Sequence, residues 1–287
     1  MKNQKYSIRN LKQDFPTDEA CLDFIFDALH SRKCSCGGTY RSIQGRKQYQ
    51  CSQCRFQIAP TAGTIFHKSD TPLTLWFHAL FVFSQAKSGF SAKQLEREIG
   101  VTYKCAWRML TLIRQSLEQG KEKLCGSVEM DETYFGGRGK AGADNVNLSE
   151  VMKKKTIILG AVERKGNIRA KTSPNARARS LGKFLVENVE SKGTLLLTDE
   201  SNRYKLSARM YDRKMVKHRR KEYVRGTVHT NTIEGFWGHF KRSVRGTHKV
   251  ISPKYLPFYL DGFVFHYNNR HNDTARFSAL LGAVVRV

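Results

Sequence analysis

The sequence predicts a multi-domain α+β protein: an N-terminal zinc ribbon, a helical unit with a helix-turn-helix, and a C-terminal α/β domain on a mixed sheet. Three observations carry this. Of seven cysteines, Cys34, Cys36, Cys51 and Cys54 fall within 21 residues, in a segment whose short strands are too few to bury a core of their own. Helical periodicity then runs to about Leu117, and after Cys125 the pattern turns to strands. The expected boundaries are 1–68 for an N-terminal helix and the ribbon, 69–124 for the helical unit and 125–287 for the α/β domain.

Within the first part, Leu22, Ile25 and Leu29 recur at helical spacing behind a Thr17 N-cap. Gly37, Gly38 and Gly45 punctuate runs at Thr39–Ile43 and Gln48–Gln50 that read as small hairpins. The segment from Pro72 to Ser84 is apolar on nearly every side, as in a buried helix, and helices are expected over Ala92–Ile99 and Tyr103–Leu117. Beyond them, Ser127–Tyr134, Lys155–Arg164 and Asn167–Lys171 read as strands, the last two joined by a Lys165-Gly166 turn. A helix over Arg177–Val189 precedes Leu195-Leu196-Leu197, a strand buried on both faces. Residues 213–225 hold seven Arg or Lys, and helices over Thr230–Val244 and Pro253–Asn268 follow.

Fifty Lys and Arg against 25 Asp and Glu leave a net charge of +25, which makes nucleic acid the leading partner. The longest apolar stretch, Leu75–Phe83, is too short to span a bilayer and is interrupted by His78. No apolar run follows the basic N-terminus, so neither a membrane partner nor a secretion signal is expected, and the compartment is a reducing one. Clustered cysteines there indicate metal: the Cys51-Ser-Gln-Cys54 knuckle and the Cys34-Ser-Cys36 pair would bring four thiolates to one structural Zn²⁺.

In SAKQLEREIGVTYKCAWRM, Leu95 and Ile99 face inward and Gly100 permits a left-handed turn. The second helix would present Lys104 and Arg108 near its start, where a major groove accepts them. Among the few acids, Asp131 lies late in the strand VEMDET, Asp199 closes LLLTD at a strand's C-terminal edge, and Glu234 lies on the following helix with Lys241 two turns on. Hard cations require such oxygen ligands, and two Mg²⁺ ions assist in-line attack on a phosphodiester.

Taken with the segments Thr61–Phe81, MDETYFGG (Met130–Gly137) and HTNTIEGFWGHFKR followed by YNNR, these residues resemble the zinc-ribbon-bearing DDE-superfamily transposases of bacterial insertion sequences. The resemblance implies a ribonuclease-H-like catalytic core, with Asp131 and Asp199 as catalytic aspartates and Glu234 as the third ligand to two Mg²⁺ or Mn²⁺ ions. Asn231, on the same helix face, is the alternative third ligand; His229 is a groove contact, a support for the ligands or a structural residue. Lys241 and Arg242 would hold phosphates. Two positions depart from the family pattern: Lys33 stands where the first zinc ligand is expected, and Cys105 where such helices carry Thr.

The implied activity is binding of terminal inverted repeats, cleavage to expose a 3′-OH, and its transfer to target DNA. Double-stranded DNA at element ends and target would be the partner of a homodimer or higher oligomer, in the cytoplasm at the nucleoid. Two rival readings are a DNA-binding regulator with a degenerate nuclease-like domain and a ribonuclease or junction nuclease on the same fold.

Overall fold

The structure, a computed structural model, describes residues 6–136, 155–205, 207–216 and 224–285, so Gly137 of MDETYFGG and positions 217–223 of the basic run lie outside the described residues. The chain divides into two compact units, Met1–Glu118 with Asn269–Val287, and Gln119–Asn268.

The first unit begins with α1 (Ile8–Asp14), which the sequence reading did not anticipate, started by a Ser7–Asn10 capping box. Thr17 caps α2 (Asp18–Leu29) as expected, and the three short strands β1 (Tyr40–Ser42), β2 (Tyr49–Cys51) and β3 (Gln57–Ile58) form an antiparallel ribbon. Its tether to α2 is both apolar and polar: Phe26 packs on the Tyr40 and Tyr49 rings, and Asp23 accepts from both Tyr49 and Arg32.

Next, α3 (Leu73–Gln85) buries Trp76, Phe77 and Leu80 completely. It lacks a side-chain cap at Pro72; Asp18 takes that role by accepting from the Thr74 amide and hydroxyl, each at 2.9 Å. A Ser91–Gln94 capping box opens α4 (Ala92–Ile99), Gly100 ends it at φ 70°, and Thr102 caps α5 (Tyr103–Gln115). A C-terminal helix, Asp273–Val285, packs on α3, where Phe277 meets Phe81, and buries Leu280, Leu281 and Val284. This unit thus holds residues 269–285, which the sequence reading grouped with the α/β domain. The fully buried guanidinium of Arg276 holds them by donating to Asp273 and to the Ser84 and Asn269 carbonyls.

The second unit is a five-stranded mixed sheet in the order β6-β5-β4-β7-β8. Strands β4 (Ser127–Phe135), β5 (Thr156–Glu163) and β6 (Ile168–Ser173) form an antiparallel meander, and β7 (Leu195–Asp199) and β8 (Asp212–Val216) extend it in parallel from β4. The helix α6 (Ala178–Asn188) covers one face, packing with Val128, Met130 and Leu196. The other is covered by α7 (Asn231–Ser243) and α8 (Leu256–Asn268), through Ile233, Trp237, Phe240 and Leu260 against Ile158, Val162 and Ile168. The C-terminal helix is numbered α9. No helix among the described residues is long and apolar enough to cross a membrane.

Candidate active site

Side chains alternate along a strand, so β4 sends Val128 and Met130 into the α6 core and Glu129 and Asp131 toward α7. Asp131 pairs across the sheet with Gly160, and a Cβ at Gly160 would come within 2.5 Å of the Trp237 ring. The absent side chain lets α7 lie directly on β5, bringing its polar edge to the strand position that carries Asp131.

Asp131 is largely withdrawn from water, and this burial is the main cause of its pKa rising to about 7; the charges of Glu132, Asp199 and Glu234 push the same way. Both Asp199 and Glu234 therefore act electrostatically on Asp131. Asp199 ends β7, where its carboxylate accepts from the Ser201 amide at 3.0 Å while Arg213 donates to its backbone carbonyl at 2.9 Å. Glu234 is exposed on the first turn of α7 and accepts from the Thr230 hydroxyl at 2.7 Å. Asn231 is exposed at the same end, its backbone amide donating to His229 Nδ1 at 3.4 Å. Further along α7, burial lowers the pKa of Lys241, as do the neighbouring charges of Lys155 and Arg245, while Asp131 opposes the shift. Arg242 is exposed.

Three acids with one of them held back from ionisation make a site that a divalent cation would relieve. Among the described residues, the cysteine quartet is the group whose ligand atoms all lie within 4.8 Å of one another; Asp131, Asp199 and Glu234 do not form one.

Two acids of β4 that the sequence reading passed over are paired. Glu129 is fully buried and accepts from Arg164, Thr232 and Ile233, with His229 at 3.3 Å. Glu132, on the α6 face, accepts from Arg203 and from the Tyr204 hydroxyl, each at 2.6 Å. The signal for Glu129 was its place in VEMDET: a charge two residues before Asp131, in a strand otherwise expected to be buried, needs partners.

At the ribbon, Cys34 and Cys54 sulfurs lie 3.7 Å apart and those of Cys36 and Cys51 3.4 Å apart. Four sulfurs at roughly 2.3 Å from Zn²⁺ make a tetrahedron with edges of roughly 3.8 Å, so the quartet fits that ion. The tight Cys34-x-Cys36 pair supplies both its sulfurs, because Gly37 turns at φ 88° and Gly38 leaves room for the Cys51 sulfur, which a Cβ there would meet at 2.5 Å. Cys105, at the Thr position, has its thiol 3.3 Å from the Thr71 hydroxyl. Lys104 and Arg108 are both exposed on α5.

The profile of the family described as "ISXO2-like transposase domain" matches residues 123–268, just over half of the chain and entirely within the second unit. A protein described as "Uncharacterized protein in transposable element ISH50" from Halobacterium salinarum is 26% identical over 238 residues, covering 79% of each chain.

Proposed function

Because the chain belongs to the family of ISXO2-like transposase domains, we propose that it is a DNA transposase acting at the terminal inverted repeats of an insertion sequence, with Asp131, Asp199 and Glu234 as its catalytic ligands on a ribonuclease-H-like core. The observation that carries this reading is a largely buried Asp131 on the central strand β4, next to β7, which ends at Asp199, with the charges of Asp199 and Glu234 both raising its pKa.

The three carboxylates would hold two Mg²⁺ or Mn²⁺ ions, which supply activation of the attacking oxygen and stabilisation of the leaving one. Asp131 is central, since both other acids raise its pKa. Lys241, two turns along α7 from Glu234, contributes positive charge beside the phosphate. In cleavage, a water oxygen bonds to phosphorus and gives up a proton, and the bond to the 3′ oxygen breaks; that oxygen takes up a proton, so the products are a 3′-OH and a 5′-phosphate. In transfer, that 3′ oxygen attacks a target phosphate and displaces a target 3′ oxygen. One phosphodiester is exchanged for another, and no bond to the protein forms.

The α4–α5 pair serves as a helix-turn-helix for end recognition, and the zinc-held ribbon supports it. Joining two ends in one event calls for a homodimer or higher oligomer on DNA, and the substrate places the protein at the nucleoid in the cytoplasm. The test is cleavage of a labelled duplex carrying the element's end. Asp131→Ala, Asp199→Ala and Glu234→Ala are each expected to lower metal-dependent cleavage at least 10³-fold with end binding retained, and Asn231→Ala to retain cleavage. An inactive Asn231→Ala beside an active Glu234→Ala would move the third ligand to Asn231. A wild-type chain that binds ends and never cuts would be a regulator, and cleavage indifferent to the duplex end would indicate a general nuclease.

A further inference from the structure

The N-terminus of α7 is held in an unusual way. Its N-cap residue, Thr230, makes no capping hydrogen bond to the helix; the Thr230 hydroxyl instead donates to Glu234. The free amides of the first turn are satisfied from another element: Glu129 Oε2 accepts from the Thr232 amide at 2.8 Å and from the Ile233 amide at 3.1 Å. Glu129 Oε1 accepts from the Thr232 hydroxyl at 2.9 Å and Arg164 Nε at 2.8 Å. Arg164 also donates to the Thr227 carbonyl at 2.6 Å and the His229 carbonyl at 3.0 Å, fixing the segment that leads into the helix.

A local cap would start the helix equally well but leave its position along the sheet to packing alone. A cap on β4, 103 positions away and two residues before Asp131, ties the helix carrying Glu234 to the strand carrying Asp131. Glu129 is not itself a ligand: its bonds from Arg164 Nε, the Thr232 amide and hydroxyl and the Ile233 amide occupy the roughly four lone-pair sites of a carboxylate.

We infer that Glu129, kept in place by Arg164, is a positioning residue that sets the third ligand on α7 against Asp131 and thereby sets the affinity of the site for divalent cations. This rests on the assignment of Asp131, Asp199 and Glu234 as ligands. Hydrogen bonds that orient known metal ligands contribute about 10- to 100-fold to metal affinity or activity, and Glu129 orients the helix that carries one.

The experiment measures Mn²⁺ binding directly, by electron paramagnetic resonance on the full chain with its end duplex, and titrates cleavage with Mn²⁺ in parallel. Glu129→Gln keeps the shape and loses the charge; it is expected to weaken Mn²⁺ binding 10- to 100-fold, with end binding unchanged and cleavage recovering at high Mn²⁺. Thr232→Val removes one of the bonds and is expected to shift the midpoint about 2- to 5-fold in the same direction, which decides the matter should Glu129→Gln fail to fold. A purely structural role would lower melting temperature and leave the Mn²⁺ midpoint of the folded protein unmoved; that result in either variant overturns the inference. Should Asp131→Ala bind Mn²⁺ and cleave like wild type, the ligand assignment fails first. Should Asp131→Ala be dead while Glu129→Gln matches wild type, the positioning role fails alone.

Discussion

Asp131 makes a prediction with a definite sign. Its pKa stands at about 7 in the folded chain, against an ordinary carboxylate value of 3.8. A carboxylate raised by folding binds protons more tightly in the native state, so it costs no stability below about pH 4; the cost grows as pH rises toward 7 and is complete above it. Without divalent metal, Asp131→Asn is therefore expected to be the more stable protein at pH 8, by an amount on the order of a few kcal/mol, with the gap closing toward pH 4. Melting curves across that range, with and without Mn²⁺, check it; a gap independent of pH would show that the Asp131 charge is not what strains the site. The sequence showed Asp131, Asp199 and Glu234 as candidates because acids are scarce in so basic a chain. Glu129 escaped notice because its significance lies in partners 35 and 103 positions away, Arg164 and Thr232, which only the folded sheet brings together.

At the scale of elements, what was legible followed local chemistry. α4 spans the expected Ala92–Ile99 because its capping box and Gly100 mark both ends, whereas β8 was hidden within a basic run, since an edge strand carries Arg213 and Lys214 where an interior one would be apolar. Two elements invite direct tests. Gly160→Ala would put a methyl 2.5 Å from Trp237, so α7 must lift from β5; a loss of about 1–3 kcal/mol in urea denaturation is expected, together with reduced cleavage. No change in either would mean that the close approach is not needed. The ribbon's three short strands offer little core of their own, and its four sulfurs are suited to a structural Zn²⁺. Removing Zn²⁺ with a chelator, or changing Cys51 to Ser, is expected to melt the ribbon, with metal analysis of the purified chain reporting one zinc; a zinc-free chain with unchanged melting would refute this.

For the whole molecule, the excess of positive charge has to be separated from sequence recognition. A chain with net charge +25 attracts any duplex, and each phosphate it neutralises releases a counterion, so affinity should fall steeply with salt for specific and random DNA alike. Such attraction brings the protein to DNA without telling it where an element ends. That distinction must come from groups aimed at base edges, and the exposed Lys104 and Arg108 of α5 are the groups proposed for it. If Arg108 reads a base, Arg108→Ala should cost about 1–3 kcal/mol on the element's end and much less on a random duplex, so the ratio of the two affinities falls at every salt concentration. If it meets only phosphate, both affinities should fall together and the salt slope should drop by about one for each. Binding isotherms for the two duplexes at three or more salt concentrations separate these outcomes; a parallel loss on both would remove α5 as the reading helix while leaving the catalytic assignment intact.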